Sequence, residues 1–127
     1  KNVKILVVVG SILGFMIIPF FFILFLFTGG GESAIEMNIR ALGYYNQGEY
    51  DSATLYYRKA LHIDPDDAEA LVGAGNSKSA QGDYDSATYF FDRALENDPE
   101  NNEALYGRGL AYLNRQRPAD AVREGKA

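Results

Sequence analysis

Two pairs of glycines have a spacing that could support phosphate chemistry. Gly73-x-Gly75 and Gly107-x-Gly109 could form loops whose backbone N–H groups surround an anion. The two pairs lie 34 residues apart and lack the other residues of any nucleotide-binding motif. Both fall inside segments with helical periodicity, so we interpret these glycines as places of close helix packing.

The acidic residues and the histidine between residues 62 and 67 could in principle bind a metal ion. Asp64, Asp66 and Asp67 offer carboxylates, but they lack the spacing and the turn glycine of a calcium loop. His62 is the only histidine and the chain has no cysteine, so a zinc ligand set is not indicated. We expect no catalytic, cofactor-binding or metal-binding residues, no cofactor and no enzymatic activity.

Charge and aromatic composition divide the chain into two parts. Residues 1–31 contain two lysines and no acidic residue, whereas all 17 acidic residues lie further along the chain. Six of the eight phenylalanines precede residue 28, and all nine tyrosines follow it. The first part is therefore suited to lipid and the second to water. The acidic second part argues against nucleic acid as a partner, because phosphate binding needs clustered Lys and Arg.

Residues 5–27 form an apolar stretch of 23 residues without a charged side chain. As a helix this stretch is about 35 Å long, which exceeds the roughly 30 Å hydrocarbon core of a bilayer. We predict a transmembrane anchor over residues 1–28, in contact with membrane lipid through residues 5–27, and a Gly-rich linker over residues 29–33. A cleaved signal peptide is the alternative, although its apolar core is normally shorter and ends at small residues.

The orientation of this anchor is indicated by few charges. Lys1 and Lys4 precede it and Arg40 follows it, so the positive-inside rule places the N-terminus in the cytoplasm. We predict a single-pass membrane protein whose remaining residues lie on the opposite side. Gly10-x-x-x-Gly14 has the spacing that lets two membrane helices approach closely, but glycine is also common in membrane helices generally.

The second part of the chain contains an internal repeat with a period of 34 residues. Residues 48–54 read GEYDSAT and residues 82–88 read GDYDSAT. Asp64-Pro65 recurs as Asp98-Pro99 in the same register. One repeat of this length is one supersecondary unit, so the chain contains an array.

Each unit is predicted to be a pair of antiparallel helices. Ala53, Tyr57 and Ala60 recur at helical spacing, and Pro65 ends the second helix because proline cannot continue it. Acidic and amide residues follow each proline and suit a helix N-terminus. We predict helices near 34–47, 50–63, 67–81, 84–97, 101–115 and 118–126. Small residues should allow their backbones to approach closely: Ala41, Gly75, Gly109, Ala53, Ala60, Ala87 and Ala94.

The period and the residue set resemble the tetratricopeptide repeat. That pattern has a large apolar residue and then glycine on the first helix, Ala–aromatic–Ala on the second helix, and a closing proline. The resemblance covers residues 34–127 in units 34–67, 68–101 and 102–127, with the last unit incomplete. It implies an all-α fold in which the N-terminal transmembrane helix precedes a short right-handed α-solenoid of helix pairs. Pro118 stands where Tyr50 and Tyr84 stood, so the third unit departs most from the pattern.

The resemblance also implies a function in protein–protein interaction. First helices of this family line a concave groove that holds an extended peptide or a helix of a partner protein. The matching positions here are Asn38, Leu42, Tyr45, Asn46, Glu69, Val72, Asn76, Ser79, Glu103, Tyr106, Leu110 and Leu113. Some members grip a chaperone's terminal carboxylate with a Lys/Asn/Arg clamp, of which only Asn76 is matched, so we expect no such specificity.

Two alternative functions remain open from the sequence. The array ends without a polar capping helix, so it could stack on another copy as a self-assembling scaffold and form a homo-oligomer. The chain lacks a starting methionine and stops within a predicted helix, so it could be the N-terminal piece of a larger protein with its activity downstream.

Overall fold

The structure, a computed structural model, describes residues 19–26 and 31–117 of the chain. The chain divides into two units, Lys1–Glu32 and Ser33–Ala127. The described part of the second unit consists of five helices, which are α1 (Ala34–Asn46), α2 (Tyr50–Ile63), α3 (Ala68–Ala80), α4 (Tyr84–Asn97) and α5 (Asn102–Arg115).

In the first unit, residues 19–26 are helical and their large apolar side chains are exposed. No helix within the described residues is long and apolar enough to cross a membrane. Most of the predicted anchor lies outside the described residues, as do Gly10, Gly14 and the first two residues of the predicted linker.

Five of the six predicted helices are confirmed, each to within one residue at either end. The sixth, predicted over residues 118–126, lies outside the described residues. The agreement arises because both ends of a unit carry residues with strong backbone preferences. Pro65 and Pro99 follow the ends of α2 and α4, and a glycine follows the ends of α1 and α3.

Side-chain caps begin the first helix of each unit. Asp67 and Asn101 each accept a hydrogen bond from the backbone N–H three residues ahead, at 3.1 and 3.0 Å. This confirms the role expected for the residues that follow each proline. At α1 the Ser33 hydroxyl accepts from the Glu36 N–H at 3.2 Å, and the Glu36 carboxylate accepts from the Ser33 N–H at 3.0 Å. This reciprocal capping box was missed in the sequence, although Ser-x-x-Glu is its usual pattern.

The repeated glycine of GEYD and GDYD reverses the chain between the two helices of a unit. Gly48 and Gly82 both have φ of +78°, in the left-handed region that other residues enter at a cost. Each lies two residues after its first helix ends, so that the second helix can turn back along the first.

The helices pack in chain order, and the first helices of successive units also touch each other. Contacts join α1 to α2, α2 to α3, α3 to α4 and α4 to α5. Further contacts join α1 to α3 and α3 to α5. The first helices therefore lie side by side, which allows residues from three units to meet on one face.

Two buried aromatic rings fill the space between the helix pairs. Phe91 of α4 is fully buried, and Tyr57 of α2 is 3% exposed. A methyl group added at Gly75 would lie 2.6 Å from the Phe91 ring. Methyl groups at Gly107 and Gly73 would overlap the rings of Phe91 and Tyr57 in the same way. The ring of Phe91 is thus enclosed by glycines of α3 and α5, which confirms the packing interpretation of Gly73, Gly75 and Gly107.

The predicted close-packing alanines are all fully buried: Ala41, Ala53, Ala60, Ala87 and Ala94. Gly109 behaves differently, because it is exposed and a methyl group there would meet no atom within 4 Å in the described part of the chain. Its expected role in helix packing therefore has no counterpart among the residues that the structure describes.

We predict that Gly75→Ala destabilises the fold by about 1–3 kcal/mol, because the new methyl group forces the Phe91 ring to move within a packed core. Urea unfolding of the full chain in a mild non-ionic detergent, followed by circular dichroism, measures this. Gly43→Ala in α1 is the matched control, because its methyl group would meet nothing within 4 Å. The control should gain about 0.5–1 kcal/mol from helix propensity. Equal effects of the two changes would contradict the packing account.

The buried phenol of Tyr57 makes the fold sensitive to alkali. Burial raises its pKa above the usual value, and the negative charge of Glu69 and the phenol of Tyr45 add smaller contributions in the same direction. The contribution of Tyr57 to the free energy of unfolding is therefore complete at pH values below the unfolded-state pKa of about 10. It is lost as pH rises towards and through the higher pKa of the folded state.

We predict that the free energy of unfolding of the wild-type protein falls as pH rises above about 10, and that Tyr57→Phe makes this fall shallower. The measurement is urea unfolding at a series of pH values between 8 and about 11. Tyr106→Phe removes a phenol that is 70% exposed, so its profile should match that of the wild type. Identical profiles for the wild type and Tyr57→Phe would refute the assignment.

Candidate functional site

A cavity of about 510 Å³ crosses the three first helices. We call it the first-helix groove and define it by its lining residues: Tyr45, Asn76, Ser79, Ala80, Glu103, Tyr106, Gly107, Leu110 and Asn114. Its volume lies within the range typical of ligand-binding cavities. The side-by-side arrangement of α1, α3 and α5 brings together residues that are up to 69 positions apart in the sequence.

The groove contains half of the residues that the sequence predicted for it. These are Tyr45, Asn76, Ser79, Glu103, Tyr106 and Leu110. Four others are exposed on the same three helices but do not line the cavity: Leu42, Asn46, Glu69 and Leu113. Ala80, Gly107 and Asn114 were not predicted, although Asn114 follows Leu110 by one helical turn.

Asn38 and Val72 are buried and contact protein rather than solvent. Asn38 is 2% exposed, and its Nδ2 donates to the Asp67 carboxylate at 2.8 Å. Its Oδ1 has no hydrogen-bond partner among the described residues. Val72 belongs to the apolar core. The two residues occupy equivalent positions 34 residues apart, whereas the next equivalent residue, Tyr106, is 70% exposed, so the repeat register alone does not indicate burial at this position.

The lining of the groove is aromatic and amide-rich, with little charge. Tyr106 is 70% exposed, and the ring of Tyr45 packs edge-on against Tyr50 with 5.4 Å between ring centroids. Asn76 and Asn114 carry amide groups, which both donate and accept hydrogen bonds as a peptide backbone does. Glu103 is the one charged residue of the lining. The groove can therefore contact a peptide through ring faces, amides and the apolar side chain of Leu110.

The lining contains no lysine, arginine, histidine or cysteine. A carboxylate or phosphate would therefore meet no cationic partner there. No group of three metal-ligating side chains occurs in residues 19–26 and 31–117 that could hold a metal ion. What the groove offers is hydrogen bonding and apolar contact.

A second cavity of about 670 Å³ lies between the second helices α2 and α4. We call it the second-helix cleft and define it by its lining residues: Arg58, Leu61, His62, Lys78, Asp85, Ser86, Tyr89, Phe90 and Arg93. The sequence placed His62 at an exposed helix end, which is confirmed, but it did not indicate a cleft there. The cationic residues of this cleft come from three different helices, so no local sequence pattern predicts that they lie together.

Comparisons with known proteins agree with the repeat architecture. A family model described as the tetratricopeptide repeat matches residues 38–99 and 72–127. A search of curated proteins finds no match. The family matches together span residues 38–127, which is most of the chain, and the described helices of this region pack in adjacent pairs. The chain therefore belongs to the tetratricopeptide repeat family.

Proposed function

We propose that this protein binds an extended segment of a partner protein in the first-helix groove, while residues 5–27 hold it at a membrane. Tetratricopeptide repeats generally mediate protein–protein interaction, and this chain belongs to that family. The observation that carries the proposal is a groove across three units that exposes Tyr106 and Leu110 beside two amide side chains.

The groove chemistry favours a neutral or basic peptide with apolar side chains. Asn76 and Asn114 can pair with the backbone of an extended chain, which has unpaired N–H and C=O groups at every residue. Tyr106 and Tyr45 provide flat apolar surface at low cost in side-chain entropy. Glu103 would repel an acidic segment and attract a basic one.

Membrane anchoring rests on the 23 uncharged residues at 5–27, in which residues 19–26 form an exposed apolar helical stretch. With the N-terminus in the cytoplasm, the repeat domain would face the opposite side of the membrane. Linker residues 29–33 would then keep the domain within about 20 Å of the lipid surface. Self-assembly through the ends of the array stays a prediction.

For the anchor, we predict that the expressed chain stays in the membrane pellet after alkaline carbonate extraction and keeps its full mass. A retained segment of 23 apolar residues has no route back to water, whereas a cleaved signal peptide would leave a shorter chain in the supernatant. Protease should digest the repeat domain only when it is added to the non-cytoplasmic side of sealed vesicles. Extraction of the full-length chain by carbonate would rule out the anchor.

For the groove, we predict that Tyr106→Ala lowers partner capture at least about tenfold, since exposed aromatic residues dominate interface energetics. A photo-crosslinking amino acid at Leu110 first identifies the partner, and its binding segment is then synthesised and titrated by calorimetry. Tyr112→Ala is the matched control, because Tyr112 lies on the same helix α5 but does not line the groove.

The control should bind the peptide as tightly as the wild type does. Asn76→Ala, which removes the amide at the centre of the groove, should weaken binding independently of Tyr106. If Tyr106→Ala and Tyr112→Ala bind the crosslinked segment equally, the partner does not use this groove.

A further inference from the structure

The second-helix cleft has an apolar floor and a cationic rim. Leu61 and Phe90 at its base are each 9% exposed, so they present a small apolar surface inside the cavity. Tyr89 is exposed beside them, with its ring edge-on to Phe90 at 5.3 Å between centroids. Three fixed cations, Arg58, Lys78 and Arg93, line the same cavity.

This cationic rim stands out because the domain around it is acidic. Residues 31–117 contain 15 acidic side chains and eight Lys or Arg, and three of those eight line the cleft. The one acidic residue of the lining, Asp85, forms an ion pair with Arg115 at 3.2 Å. The cleft is therefore locally positive on a molecule whose surface is mostly negative.

The three cations differ in the hydrogen bonds and ion pairs that they form with other residues of the domain. Arg93 donates a hydrogen bond to the Pro65 carbonyl at 2.7 Å, and Lys78 is 3.9 Å from the Asp83 carboxylate. Arg58 makes no hydrogen bond or ion pair with any residue that the structure describes. Its guanidinium has five N–H donors in a planar fork that matches a carboxylate.

Comparison of the two repeats explains why Arg58 lacks a partner. The equivalent position 34 residues later is Asp92, which pairs with Arg108 of the following helix at 3.0 Å. The residue equivalent to Arg108 in the preceding repeat is Ala74, which is fully buried and carries no charge. At the boundary between α4 and α5 the fold thus supplies an internal ion pair. At the boundary between α2 and α3, Arg58 faces a cavity and has no such ion pair within residues 19–26 and 31–117.

We propose that the second-helix cleft binds an acidic segment of a protein, as a second interaction site separate from the first-helix groove. Asp or Glu side chains of the segment pair with Arg58, Lys78 and Arg93, and an apolar side chain rests on Leu61 and Phe90. Carboxylate–guanidinium pairs are geometrically specific when bidentate. The acidic surface around the cleft limits this attraction to the cavity. Because salt screens attraction between exposed charges, binding is expected to weaken as the salt concentration rises.

A protein segment fits the cleft better than an anionic membrane surface does. The lining residues border an open concavity of about 670 Å³, and its apolar residues Leu61 and Phe90 are each 9% exposed. A peptide side chain can enter such a cavity, whereas lipid headgroups form a broad flat surface that would also meet the acidic residues outside the cleft. The cavity volume lies in the range of ligand-sized sites.

The test is a titration of the full chain, in a mild non-ionic detergent, with a fluorescein-labelled peptide that alternates Glu-Glu pairs with single leucines. Fluorescence anisotropy measures the dissociation constant at low and high salt. Arg58→Glu should weaken binding about tenfold or more, because it replaces an attractive charge with a repulsive one. Arg58 is exposed and makes no internal contact of this kind, so circular dichroism should show an intact fold.

Two matched controls define the site. Arg117→Glu makes the same change of charge at an exposed residue beyond α5 and outside the cleft, and it should leave the affinity unchanged. The same peptide with glutamine in place of glutamate should not bind. Tyr106→Ala in the groove should leave the affinity for the acidic peptide unchanged, which separates this site from the first-helix groove.

Four outcomes would overturn the proposal: unchanged affinity of Arg58→Glu, equal weakening by Arg117→Glu, loss of binding in Tyr106→Ala, or binding of the glutamine peptide. A further arm uses vesicles that contain phosphatidylserine. If Arg58→Glu weakens vesicle binding while the acidic peptide does not bind at all, the cleft serves lipid headgroups and the proposal is wrong.

Discussion

The contact between Phe91 and the glycines on both sides of it sets the spacing of the helix pairs. A ring that is fully buried between Gly75 and Gly107 leaves no room for a methyl group on either helix. Tyr57 makes the equivalent contact with Gly73 one repeat earlier. Because protein interiors transmit small changes in volume, this fit fixes how closely α3 and α5 approach. The width of the first-helix groove follows from it, since its walls stand on those same helices.

The sequence predicted the backbone of this domain better than it predicted the surfaces. The helix ends could be predicted from the sequence because proline cannot continue a helix, as at Pro65, and glycine allows a positive φ, as at Gly48. The depth of a side chain depends instead on its neighbours in three dimensions. Asn38 was predicted to line the groove, yet it is buried beneath α3, where it reaches Asp67. Arg58, by contrast, faces a cleft whose other walls are far away in the chain, and periodicity alone carries no information about that.

The two cavities differ in chemistry as well as position. The first-helix groove has amide, aromatic and apolar surface with one carboxylate, whereas the second-helix cleft has three fixed cations over an apolar floor. Ligands suited to one cavity are therefore disfavoured by the other, because opposite charges select opposite partners. The two proposed sites would in this way select different protein segments on one domain of fewer than 100 residues.

Asp67 has a further consequence for how the domain comes apart. One carboxylate oxygen accepts the N–H of Ala70 at the start of α3, and the other accepts the amide of Asn38 from α1. If α1 detaches, Asn38 loses this bond and the cap of α3 loses its neighbour at the same time. Helices α1 and α3 are therefore linked by hydrogen bonds to the same carboxylate. This couples the unfolding of α1 at the end of the array to the unfolding of α3 in the next repeat. A force on the chain ahead of α1 that pulls this helix away from α3 must therefore break the hydrogen bond between Asn38 and the N-terminal cap of α3.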